Sequence, residues 1–170
     1  MRSLSSSRLQ RPGLTALGIA LALAPWSALA DVPQQLPITA QWCLAPGRCI
    51  GLEVAATPRQ QAIGLQQRGP LPPLRGMWFP AEPPAVTRFW MHRTPEPLDM
   101  LFVSQGRVIA IEAHAQPCMR LPCRSYGQDQ PVDGVVELAA GQARALGIAV
   151  GSPVWIEGRS LHPAAATPGP

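Results

Sequence analysis

The sequence predicts a mainly β fold of the α+β type: a compact, barrel-like antiparallel sheet with two short helices. Three observations predict it. Apolar runs of strand length and strand composition recur, most clearly at 86–91, 98–103 and 108–113. Proline- and glycine-rich corners at 69–75, 80–85 and 92–97 interrupt the chain before any long helix can form. Helix signals are confined to two stretches, 57–68 and 139–146.

Taken in order, Met1–Ala30 reads as an export signal. Arg2, Arg8 and Arg11 precede an apolar stretch from Leu14 to Ala24, and Ala28-Leu29-Ala30 offers a small-x-small cleavage site. The apolar stretch is short for a span, which needs roughly 20 residues, and Pro25 interrupts its end. Residues 31–40 form a linker, 41–158 a single globular domain, and 159–170 a disordered tail rich in proline and alanine. Within the domain, strands at 41–44 and 49–54 flank the turn Ala45-Pro46-Gly47-Arg48. Thr57-Pro58-Arg59-Gln60 is a helix start: threonine caps, proline suits the first helical position, and glutamine completes a capping box. That helix is expected to run to Arg68, with Ala62, Ile63 and Leu65 inward. A strand at 76–79 follows, then the three runs named above, with Gln105-Gly106 as a two-residue turn between the last two. A loop spans 115–131, a strand 134–138, a helix 139–146, and a strand at 153–156 closes some seven short strands.

Charge and residue types exclude several functions. All 14 basic residues are arginines; removal of the signal leaves 11 against 10 acids, a net +1. The basic character therefore belongs mostly to the signal and implies neither nucleic acid nor an anionic membrane as partner. With no lysine, Schiff-base chemistry and a P-loop are ruled out, and with no asparagine so is N-glycosylation. Cys43, Cys49, Cys118 and Cys123 allow three pairings; the local one, 43 with 49 and 118 with 123, is expected because each closes a short loop. Neither spacing is Cys-x-x-Cys, and no zinc spacing or nucleophile elbow occurs.

The candidate site lies around 89–103. Pairing the 98–113 hairpin through a Gln105-Gly106 turn sets Asp99 opposite Glu112, with His114 continuing that face. Leu98, Met100, Phe102, Ile109 and Ile111 form the opposite, apolar face. Trp90 and His92 share a strand face and make a ligand platform, with Arg93 and Tyr126 near the same corner. Met91, His92, Met100, His114 and Met119 raise copper as an alternative, although Met100 should point away from His114.

Phe89-Trp90-Met91 followed by Pro97-Leu98-Asp99-Met100-Leu101-Phe102 resembles a widespread bacterial and archaeal family, domain of unknown function 192. The likeness runs from Leu52 to Ile156. It takes in Leu52-x-Val-Ala-x-Thr-Pro58, Arg75-Gly76-Met77, Pro117-Cys118, Pro122-Cys123, Tyr126, Glu137-Leu-Ala-Ala-Gly141, Leu146-Gly147-Ile148 and Gly151. The resemblance implies a small, mostly β, single-domain protein, often with an export signal, and assigns no activity. His92-Arg93 stands where many members have Lys-Asn, Ser152 where an aspartate is usual, and the Cys43/Cys49 hairpin is an addition.

These readings lead to an exported, monomeric, non-catalytic binding module without cofactor or metal, periplasmic or secreted. Its small ligand or envelope partner is expected at Trp90, His92, Arg93, Asp99, Glu112 and Tyr126. The alternatives are an acid/base hydrolase or lyase using Asp99 with Glu112 or His114, and a copper-binding exported protein.

Overall fold

The computed structural model describes residues 33–158; the expected signal at 1–30 and the tail at 159–170 lie outside them. In chain order the elements are β1 (Ile38–Ala45), β2 (Arg48–Val54), α1 (Pro58–Ile63), β3 (Arg75–Ala85), β4 (Arg88–Trp90), β5 (Leu98–Ser104), β6 (Arg107–Ala115), β7 (Ser125–Gly127), β8 (Val132–Ala139), α2 (Gln142–Ala145) and β9 (Ile156–Gly158). β1 starts at Ile38, inside the expected linker.

Mainly β with two short helices is correct, but the expected antiparallel barrel is not formed. Seven strands make one mixed sheet in the order β6-β5-β8-β3-β2-β1-β9, and β4 with β7 makes a second, two-stranded sheet. β2 and β3 run parallel, from Gly51 opposite Arg75 to Val54 opposite Trp78. A parallel pair needs a long crossover, and residues 55–74, which include α1, supply it. The stretch 151–154 leans on β6, where the Val108 amide donates to Ser152 O at 3.0 Å and the Val154 amide to Gly106 O at 2.8 Å. No ladder among the described residues joins the two edge strands.

Both faces of the central strands are covered, which is why 98–103 reads as one continuous apolar run rather than an alternation. Leu98, Met100 and Phe102 pack with Met77, Phe79, Val135, Leu65, Leu71 and Met91 on one face. Leu101 and Val103 pack with Trp42, Leu52, Val136, Leu138, Ala143 and Ile148 on the other.

α1 carries the capping box read from its sequence: the Gln60 amide donates to Thr57 Oγ1 at 3.2 Å and the Thr57 amide to Gln60 Oε1 at 2.9 Å. It is shorter than expected, stopping at Ile63, because Gly64 takes φ +49°, ψ −129° and leaves helical space. Ala62 is accordingly exposed rather than inward, while Leu65, past the helix, is buried. The turn is then held by Arg68, whose guanidinium grips the buried Glu53 carboxylate at 2.7 and 2.8 Å. Cys43–Cys49 and Cys118–Cys123 are both disulfides, the local pairing.

Candidate functional site

β8 lies between β3 and β5, and Glu137 sits opposite Met77 on one side and Met100 on the other. Strand alternation places it on the face that α1 and the following turn cover. Only 4% of Glu137 is exposed. No hydrogen bond or ion pair joins its side chain to another described residue, whereas Glu53 and Asp99 are both bonded. Burial pushes its carboxyl up from 4.5 to about 8, so it is protonated at neutral pH.

The carboxyl belongs to a groove of about 410 Å³ between the α1 segment and β4. Ala62, Ile63 and Leu65 line one side, Arg88, Phe89 and Trp90 the other, with Phe79 between. Phe79 and Phe89 meet edge to face, centroids 5.1 Å apart. Thr87 also lines the groove, and its buried Oγ1 has no hydrogen-bond partner. Trp90 is half exposed at 52%, and its ring lies 5.5 Å from that of His92. Arg88 pairs with Asp129 at the surface. A recess of about 170 Å³ adjoins the groove and shares Leu65 and Thr94 with it.

Residues 42–156 match the family of domain of unknown function 192 (DUF192), described as an uncharacterized ACR. The chain belongs to the DUF192 family. Two solved structures are similar to this DUF192 chain. A Novosphingobium aromaticivorans DSM 12444 protein of unknown function is 32% identical over 75% of this chain and 94% of its own, with a TM-score of 0.61. A candidate transcription regulator from Sinorhizobium meliloti 1021 is 32% identical over 70% of this chain and 91% of its own, with a TM-score of 0.60. None of the curated proteins matches.

The fold brings part of the sequence-predicted corner together. A bridge pairs His92 with Cys118, and the Arg93 amide donates to Cys118 O at 2.9 Å, so the stapled loop docks on the 92–93 corner. β4 pairs with β7, setting Phe89 opposite Tyr126 and Trp90 opposite Ser125. Tyr126 is buried, with the Arg124 guanidinium 4.8 Å above its ring. Arg124 also approaches Glu112 at 3.4 Å.

The expected Asp99–Glu112 pair does not form. The Gln105-Gly106 turn is right, with Ser104 opposite Arg107 and Val103 opposite Val108, but a bulge then sets Phe102 opposite Ala110 and Met100 opposite Glu112. One extra residue on β6 moves Glu112 to the Met100 face and Ile111 to the Leu101 face. Asp99, 1% exposed, uses both oxygens structurally: Oδ1 accepts from the His114 amide and Oδ2 from the Ala143 amide of α2, each at 3.0 Å. His114 Nδ1 stands 3.8 Å from Oδ1, too far for a hydrogen bond. The copper residues are scattered: Met91 and Met100 are in the core, His92 is beside Trp90, His114 is by Gly141 and Met119 is exposed. Among the described residues no group of three or more His, Cys, Asp or Glu could hold a metal ion.

Sequence reasoning missed Glu137 and Thr87 as site residues. The signal for Glu137 was present: it is the one acid inside Val135-Val136-Glu137-Leu138-Ala139, the same pattern that singled out Asp99.

Proposed function

We propose that this DUF192 chain is an exported binding module that seats a small amphipathic ligand in the Glu137 groove. One observation carries the reading: the Glu137 carboxyl, bonded to no other described side chain, and the buried Oγ1 of the half-buried Thr87, which has no hydrogen-bond partner among the described residues, both line one aromatic-walled groove. An unsatisfied buried polar group costs about 1–3 kcal/mol, which a ligand bonding to it would recover. The apolar body of the ligand rests on Phe79, Phe89 and Trp90, and its polar end meets Glu137. Two disulfides support export, since such bonds persist in oxidising compartments. No helix among the described residues is long and apolar enough to cross a membrane.

Binding is favoured over turnover by the state of the acids. Glu137 is a protonated acid with no base beside it, and Asp99, the expected base, has both oxygens committed to backbone amides. The test is an NMR titration of the full chain with benzyl alcohol, which pairs a ring with one hydroxyl. Saturable shifts confined to α1, β4 and the Glu137 region of β8 are expected. Shifts centred on Asp99 and His114, or no saturable shift, overturn the reading.

A further inference from the structure

The chemistry of the groove narrows the class of ligand. Its walls present the rings of Phe79, Phe89 and Trp90, whose electron-rich faces attract cations and repel anions. Two oxygen-bearing side chains, Glu137 and Thr87, also line it, both able to accept from an ammonium N–H. Among the described residues, no cation is shown paired with the carboxyl. Arg88 at the rim is paired with Asp129, and Arg68 across the neighbouring recess is held by Glu53. Glu96 lines that recess, His92 lies against Trp90, and Asp99 on the adjacent strand projects to the opposite face, toward α2. None of these groups forms an ion pair with Glu137.

We propose that the groove is a site for an organic monocation, an ammonium group on a short apolar or aromatic body, held between the aromatic walls and the Glu137 carboxylate. This rests on the groove being the binding site, and it names the chemistry of its occupant. On binding, the ammonium keeps its own proton and Glu137 releases one to solvent, leaving a charge-assisted pair in a partly dry site. A neutral ligand meets the protonated carboxyl and releases nothing.

The experiment compares benzylammonium with benzyl alcohol, which match in size and ring and differ in charge, by calorimetry and NMR on the full chain. Benzylammonium is expected to bind at least tenfold more tightly at pH 7.5. Its affinity should rise about tenfold per pH unit between 6 and 7 and level off above the Glu137 midpoint near 8. Heats measured in buffers of different ionisation enthalpy should show close to one proton released at pH 6.5. Glu137→Gln, isosteric with the protonated acid, should abolish both the preference for the cation and the proton release. Equal affinity for the two probes with no proton release overturns the cation assignment and leaves the groove as a neutral-ligand site. Failure of both probes to shift groove resonances overturns both readings.

Discussion

Glu137 and Asp99 are buried acids on neighbouring strands, and their burial is resolved in opposite ways. Asp99 is met by two backbone amides, and it ties the irregular end of β6 to the first turn of α2. Glu137 meets no partner among the described residues, and burial makes it hold its proton more tightly. Because the folded Glu137 binds its proton more tightly than the unfolded chain does, its contribution to stability is complete below pH 4.5 and is lost as pH rises toward about 8. Urea denaturation of the free chain should therefore show stability falling by several kcal/mol across that window, and Glu137→Gln should flatten the profile. Asp99→Ala should lower stability by about 2–4 kcal/mol in the same assay, because it strands two amides at once. Both acids interrupt apolar runs and were equally legible as anomalies. What the sequence did not show is which one finds donors: Ala143 lies on a helix far along the chain, and the neighbours of Glu137 come from β3 and β5.

At the scale of elements, local chemistry was readable where it was truly local. The Thr57–Gln60 capping box and both short disulfide loops follow from residues within six positions of one another. Thr57→Ala should cost about 1 kcal/mol by thermal or urea unfolding, and a change below a few tenths would mean that packing, not the cap, holds α1. The hairpin 98–115 shows the opposite case. Its turn was correct, but the bulge between Phe102 and Val103 reassigned every later residue to the other face. Nothing in the β6 residues marks the bulge. His114, at φ +54° beside a second irregularity, is fixed by Asp99 from across the hairpin.

For the whole molecule, strand content was legible but strand order was not. Consecutive strands invite hairpin pairing, yet β3 pairs with β2 in parallel and with the distant β8. The short crossover helix buries none of its own residues, so its sequence gives no hint of covering a sheet. That cover nevertheless makes the groove, because the turn after α1 faces β4 across Phe79 and Glu137. Export is the other molecular-scale claim. When the full chain is expressed in a Gram-negative host, the periplasmic protein should begin at Asp31 with all four cysteines oxidised, as read by intact-mass spectrometry. An uncleaved Met1 start would contradict it.

The central claim is that Glu137 is an unpartnered acid awaiting a cation, and a carbon-13 NMR titration of its carboxyl tests this most directly. A midpoint near 8 is expected in the free protein, falling when benzylammonium saturates the groove. A midpoint near the ordinary 4.5, unmoved by the ligand, would contradict it.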